Sequence, residues 1–140
     1  MYRKILVPVD LHESGRSAVA LAAAAMLAHA SDASLTLLTI LSDWSVLARA
    51  ERSPITTRLL FESAHARLAA QGDRMENAGP VTCRVESGFA YRAILTAARE
   101  IGADLIIIAP PPARWTDAIF GTTVSRVSRR AQCSVLIVRD

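Results

Sequence analysis

The stretch Asp104–Thr123, DLIIIAPPPARWTDAIFGTT, combines a strand-like run, three consecutive prolines and a Gly-Thr-Thr segment. Leu105–Ala109 is apolar on both faces, as expected of a strand that helices cover on two sides. The prolines Pro110–Pro112 lack the N–H group that a ladder needs, so the strand must stop before them. A helix is predicted to begin at Thr122 or Thr123 and to run to about Arg130. The stretch therefore predicts a strand–loop–helix unit.

Working outward, the rest of the chain alternates apolar runs with helical patterns. A central apolar strand followed by a helix, repeated along the chain, predicts an α/β fold with a doubly wound parallel sheet and right-handed crossovers. No repeat or linker divides the chain, so one domain over residues 1–140 is expected. The other predicted strands are Arg3–Val9, Ser34–Leu41, Val81–Glu86 and Ser134–Val138, and the other helices run from Glu13 to about Ala30, from Pro54 to about Ala78 and from Phe89 to Ile101.

Composition limits the classes of function. The chain has 140 residues, of which 51% are hydrophobic, and this content excludes disorder. No apolar run reaches the roughly 18 residues of a membrane-spanning helix, and the first ten residues do not form a signal peptide. A cytoplasmic protein without membrane insertion is expected. The net charge of +3 does not require a nucleic-acid partner.

Three arginines recur on one predicted helical face. Arg126, Arg129 and Arg130 follow the spacing i, i+3 and i+4 near the end of the last helix. Cations suit a helix C-terminus, so a solvated face is the first interpretation. Binding of phosphate or another polyanion is the alternative.

Residues that could bind a metal or perform catalysis do not form a pattern. Cys83 and Cys133 are far apart and lack a CxxC spacing, so they are expected to be packing residues. His12, His29 and His65 have no metal-ligand spacing. No nucleophile, base and orienting group can be assigned from the sequence. Neither a metal site nor an enzyme is predicted.

Four segments together resemble a known family. They are the opening KILVPVD with a proline in the first strand, Glu86–Gly88 before a helix, Gly102–Ile106, and Gly121–Val138. In this order and spacing they are similar to the universal stress protein (UspA) family over essentially the whole chain. The resemblance implies a flavodoxin-like, five-stranded sheet in the order 3-2-1-4-5. Ligands of such sheets bind at the topological switch point, here between the first and fourth strands.

The resemblance also implies a phosphate loop, which this chain alters. Nucleotide-binding members carry the pattern G-x2-G-x9-G-[ST], in which glycines let backbone N–H groups converge on phosphate. Here the first two glycine positions are Ala109 and Pro112, and the spacer from Pro112 to Gly121 has eight residues, one fewer than the pattern. The three prolines also remove three N–H donors, whereas Gly121, Thr122 and Thr123 are expected to keep theirs free at a helix start. Each lost charge-assisted hydrogen bond is worth roughly 1.5–3 kcal/mol, so weak or no ATP binding is expected.

Two residues beside this loop have competing interpretations. Asp10 follows the first strand and either caps a turn or helix start or, as in the nucleotide-binding relatives, lies by the adenosine moiety. Arg114 either is a solvated loop residue or replaces part of the lost N–H groups. The full set that would line a nucleotide site is Pro8, Val9, Asp10, Ile40, Ile108, Ala109, Arg114, Gly121, Thr122 and Thr123.

The last strand is expected to be an exposed, apolar sheet edge. In the family this strand commonly pairs with its copy, so a homodimer through Ser134, Val135, Leu136, Ile137 and Val138 is predicted, against a monomer with a covered edge. The resemblance thus favours a non-catalytic, dimeric universal stress protein that acts through unknown protein partners, with no cofactor. The alternative is a sensor that binds ATP or AMP, or a small anion, with a modified loop.

Overall fold

The computed structural model describes residues 1–12, 14–41, 53–110 and 117–139, with the backbone alone described at 14 and 117–122. Strands and helices alternate along these residues, as the sequence predicts. The strands are β1 (Lys4–Pro8), β2 (Ser34–Leu41), β3 (Val81–Ser87), β4 (Leu105–Ile108) and β5 (Ser134–Ile137). The helices are α1 (Ser14–Ser31), α2 (Pro54–Asp73), α3 (Ala90–Ile101) and α4 (Asp117–Arg130).

The five described strands form one parallel sheet in the order β3-β2-β1-β4-β5. This order confirms the predicted flavodoxin-like topology. β1 lies in the middle, with Ile5 paired to Leu35 of β2 on one side and to Leu105 of β4 on the other. The strand order reverses between β1 and β4, so the crevice predicted at the switch point lies at their C-terminal ends.

Alternate side chains of the sheet enter two separate cores. Val7 of β1 packs with α1 and α2, whereas Leu6 packs with α3 and α4. On α1, alanines spaced by four residues are buried against the sheet, and their small side chains let the helix lie close to it. The buried alanines are Ala20, Ala24 and Ala28.

Two predicted helix limits are wrong. α2 ends at Asp73 rather than near Ala78, with Arg74 as its C-cap, and the chain beyond it adopts positive φ at Asn77 (58°) and Gly79 (70°). α4 begins at Asp117 rather than at Thr122 or Thr123, so the helix has one more turn at its start. The predicted start of α1 at Glu13 lies outside the described residues.

Asp104 joins β1 to β4 at the N-terminal ends of these strands, opposite the crevice. Its carboxylate accepts hydrogen bonds from the backbone N–H groups of Arg3 (2.8 Å) and Lys4 (3.1 Å). Its own N–H donates to the carbonyl of Lys4 at 2.9 Å. Three hydrogen bonds therefore align the two strands whose far ends border the crevice.

None of the helices in the described ranges combines the length and the apolar character that crossing a bilayer would require.

Candidate functional site

The crevice opens where β1 and β4 separate. The N–H of Val9 donates to the carbonyl of Leu38 of β2 at 2.7 Å. The backbone N–H and C=O groups of odd-numbered residues of β1 therefore point towards β2, and those of even-numbered residues point towards β4. Pro8 therefore lacks an N–H on the side of β4, and the β1–β4 pairing stops at Leu6 with Ile106. Pro8, the proline of the KILVPVD segment, therefore has a physical role, because it ends the hydrogen-bonded ladder between β1 and β4 at the switch point.

The predicted apolar residues of the site meet at this edge. Pro8 is the last residue of β1, and Ile108 is the last residue of β4. Ile108 is buried and Ile40 of β2 packs into the same core beside α3. Val9 and Ala109 pack into the opposite core beside α1. The structure thus brings these five residues to one end of the sheet but divides them between its faces.

Asp10 forms a closed turn with its own neighbours. One carboxylate oxygen accepts the N–H of His12 at 2.9 Å, which is the geometry of an Asx turn. The other oxygen pairs with the guanidinium of Arg16, and the N–H of Asp10 donates to Ser17 Oγ at 3.0 Å. Ser17 is buried. The turn interpretation of Asp10 is therefore confirmed, and a contact to adenosine stays a prediction.

Distant side chains fix the same turn, and sequence reasoning missed them. Buried Thr39 of β2 donates its hydroxyl to the carbonyl of Val9 at 2.9 Å. Arg67 of α2 donates to the carbonyl of Leu11 at 2.6 Å. These partners are 30 and 56 residues away along the chain, so only the folded arrangement identifies them. Arg16 was also missed, although its place in the first turn of α1, close to Asp10, was a usable signal.

The far wall of the crevice is described only in part. Ala109 and Pro110 follow β4 and are half-buried. Arg114, together with Pro111 and Pro112, lies outside the described residues. The proposed phosphate contact of Arg114 therefore stays a prediction.

The Gly-Thr-Thr segment does not open a helix. Because α4 begins at Asp117, residues Gly121–Thr123 lie in its second turn. In an α-helix the N–H of each such residue bonds to the carbonyl four residues earlier, so these three N–H groups serve the helix. The expectation that they are free donors at a helix start is wrong. The free N–H groups of α4 belong to its first turn instead.

Metal-binding and thiol chemistry find little support among the described residues. In the ranges 1–12, 14–41, 53–110 and 117–139, no three His, Cys, Asp or Glu side chains cluster as metal ligands would. Cys83 and Cys133 are free and half-buried, and burial is the main cause that raises the pKa of each thiol. A raised pKa lowers the thiolate fraction at neutral pH and so disfavours nucleophilic reactivity.

β5 lies at the edge of the sheet, paired with β4. Ser134 and Val138 donate their N–H groups to Asp104 and Ile108, at 3.3 and 2.9 Å. Since residues alternate along a strand, the N–H and carbonyl groups of Val135 and Ile137 face away from β4. Leu136 and Ile137 are 38% and 37% exposed. The predicted apolar edge is therefore present, one residue shorter as a strand than expected.

The chain is similar to proteins of one family. A universal stress protein family model matches residues 1–139. The universal stress protein UspA from Lactobacillus plantarum is 27% identical, with a TM-score of 0.76, and the match covers 99% of this chain and 98% of that one. A universal stress protein in complex with cAMP is 26% identical, with a TM-score of 0.70 and coverage of 99% and 97%.

A more distant structure supports the fold alone. The universal stress protein from Archaeoglobus fulgidus in complex with dAMP is 19% identical, with a TM-score of 0.61 and 97% of each chain covered. The family match over nearly the whole sequence agrees with the sheet order and with the switch-point crevice. The chain belongs to the universal stress protein family.

Proposed function

We propose that this chain is a non-catalytic, homodimeric regulatory protein of the cytoplasmic stress response, which binds ATP weakly or not at all. It would act through protein partners. The observation that supports this proposal is the state of Asp10, whose two carboxylate oxygens are engaged by His12 N–H and by Arg16. A ribose hydroxyl or adenine amine would therefore have to share a carboxylate oxygen with one of these partners or compete with it.

Calorimetric titration with ATP and with AMP, each with and without Mg²⁺, tests the proposal. We expect dissociation constants on the order of a millimolar or weaker, because the prolines remove phosphate donors and Asp10 is already paired. Micromolar binding of either nucleotide would overturn this part of the proposal.

The Arg16→Ala variant tests the reasoning about Asp10. An ion pair near the surface contributes about 0.2–1 kcal/mol, so removing the Arg16 partner of Asp10 is expected to improve affinity for adenosine by up to about fivefold. Adenosine is the better probe here, because it carries no phosphate that the freed carboxylate would repel. The matched control is Arg58→Ala, which removes an ion pair with Glu62 on α2. A loss of adenosine affinity in Arg16→Ala would refute the reasoning.

Binding of an adenine nucleotide is the second candidate function. A structurally similar universal stress protein, 26% identical to this chain, is in complex with cAMP, and this supports the candidate. In this chain the site would comprise the ends of β1 and β4, Ile40 and the start of α4. The calorimetric titration separates this candidate from the first, because only a nucleotide sensor would saturate at micromolar concentration.

The absence of catalysis is proposed because no acid, base or nucleophile is assigned at the crevice. Incubation with ATP and Mg²⁺ should release no phosphate above the buffer rate. Steady release that a substitution at Asp10 abolishes would contradict the proposal and favour a hydrolase.

Dimerisation is proposed through the free edge of β5. Its outward N–H and carbonyl groups at Val135 and Ile137 can pair with a second copy of the strand. The variant Ile137→Pro removes one outward N–H but leaves the donors to β4 in place. We expect light scattering to give twice the chain mass of 15.1 kDa for the parent and the single mass for this variant. Ile137→Ala, which keeps the N–H, should remain dimeric.

The result that excludes the dimer is equally clear. A parent protein that sediments only at 15.1 kDa would reject the interface. A dimeric Ile137→Pro variant would reject the edge pairing at this residue.

A further inference from the structure

Aromatic rings and guanidinium groups form a second feature where α3 faces α4. The ring of Tyr91 has three guanidinium groups around it, from Arg126 at 4.7 Å, Arg92 at 5.7 Å and Arg130 at 5.7 Å. Arg92 also lies 5.4 Å from the ring of Phe89, which is 61% exposed. We call these five residues the arginine–tyrosine patch.

The three arginines that were predicted to share one helical face have different surroundings in the folded protein. Arg126 and Arg130 contact Tyr91, whereas Arg129 is exposed without a ring contact among the described residues. Arginines four residues apart on a helix repel each other and destabilise it. The arrangement therefore lowers the stability of α4 unless another group balances the charge.

Among the residues that the structure describes, no carboxylate forms an ion pair within 4.0 Å with Arg92, Arg126 or Arg130. Glu86 and Glu100 share a cavity of about 410 Å³ with Arg92, but both pair with Arg84. Within the described residues, the three guanidinium groups of the patch contact the aromatic side chains of Phe89 and Tyr91.

The placement of the guanidinium groups over the rings selects the kind of ligand. A guanidinium that lies over a ring keeps its N–H donors at its edge, where they can bind a carboxylate with two parallel hydrogen bonds. The Nε–H of Arg92 donates to Tyr91 Oη at 2.9 Å, which holds that side chain in place. This hydrogen bond, with the neighbouring arginine charges, lowers the pKa of Tyr91. The side chains are thus oriented before any partner arrives.

The same geometry disfavours single-stranded nucleic acid. Proteins that bind single strands stack bases on open aromatic faces. Here arginines cover the ring of Tyr91 and one of them also covers Phe89. A base could stack only after a guanidinium had moved away. Carboxylate groups need no such change.

We propose that the arginine–tyrosine patch binds a segment of a partner protein that is rich in aspartate and glutamate. This inference rests on the proposed function, in which the chain acts through protein partners, and it adds the chemistry of such a partner. It can fail while the calorimetric and light-scattering results at the crevice and at β5 stand, since neither measurement involves the patch.

Fluorescence anisotropy with a labelled polyglutamate peptide tests the inference at physiological ionic strength. The double variant Arg126→Ala/Arg130→Ala is expected to bind the peptide about tenfold more weakly than the parent. The matched control is Arg58→Ala/Arg74→Ala, which removes the same net charge from the opposite face and should leave the affinity within about twofold. Equal weakening by the control would overturn the inference, because net charge alone would then explain binding.

Two further measurements keep the test decisive if the alanine variant folds poorly. Arg126→Lys/Arg130→Lys retains the charge but loses the planar, two-donor geometry, so we expect it to weaken peptide binding severalfold. Full affinity in this variant would refute the role of stacked guanidinium groups. A labelled oligothymidylate of similar charge should bind more weakly than the peptide, and tighter binding would replace the proposed protein partner with a nucleic acid.

Discussion

The variant Asp104→Ala tests how strongly the sheet depends on the connection between β1 and β4. The substitution removes the acceptor of two backbone hydrogen bonds, from Arg3 at 2.8 Å and from Lys4 at 3.1 Å. A hydrogen bond to a charged group contributes about 1.5–3 kcal/mol. Both donors lie at an exposed edge where water can replace the carboxylate, so we expect a combined loss of about 2 kcal/mol in the free energy of unfolding.

Urea denaturation at fixed protein concentration measures this loss. For a domain of this size, 2 kcal/mol corresponds to a shift of about 1 M in the urea midpoint and of about 7 °C in the melting temperature. The slope of the transition should stay unchanged. Asp104→Asn keeps one acceptor oxygen and should lose about half as much stability.

The matched control is Asp73→Ala, at an exposed position near the end of α2. It removes the same charge without these hydrogen bonds and should change stability by less than about 0.5 kcal/mol. If Asp104→Ala loses no more than this control, the carboxylate does not stabilise the pairing of the two strands, and the reasoning is refuted.

Three further outcomes are expected. Thr39→Val leaves the carbonyl of Val9 without its buried donor and should lower the free energy of unfolding by about 1–2 kcal/mol in urea melts, and an unchanged midpoint would contradict this. Tyr91 should ionise at a lower pH than an ordinary tyrosine, because the hydrogen bond from Arg92 and the arginine charges favour the phenolate; absorbance titration should lose this early transition in Tyr91→Phe. Because the pKa of Tyr91 is lower in the folded state, the contribution of Tyr91 to the free energy of unfolding grows as the pH rises through the folded pKa towards the unfolded pKa. A Tyr91→Phe variant whose stability at alkaline pH follows that of the parent would contradict this prediction. Gly102 closes α3 at φ 66°, so Gly102→Ala should cost about 1 kcal/mol, whereas no cost would mean that the turn relaxes.

The sequence predicted the strands well because each is an apolar run bounded by polar residues or proline. Their order in the sheet came from the family resemblance rather than from the runs themselves. The helix limits failed where local signals misled. The apolar residues Met75 and Ala78 continue the pattern of α2 past its true end at Asp73, and a Gly-Thr-Thr segment that looks like a helix start lies inside α4.

At the site, local interactions were predictable and distant ones were not. The turn of Asp10 depends on a residue two positions away, so an Asx turn could be proposed from the sequence. The hydrogen bonds of Thr39 and Arg67 depend on how β2 and α2 are placed by the whole fold. The arginine–tyrosine patch was visible only as arginine spacing, because Tyr91 joins it from another helix.

The hydrogen bond from Arg67 to Leu11 places a limit on how the length of α2 can change during evolution. Arg67 lies thirteen residues after Pro54, the first residue of the helix. Deleting one residue between them would rotate Arg67 by about 100° and move it about 1.5 Å along the helix axis, away from the turn after β1. Insertions or deletions that preserve this turn should therefore fall outside the segment between Pro54 and Arg67, even though that segment is far from the crevice in the sequence.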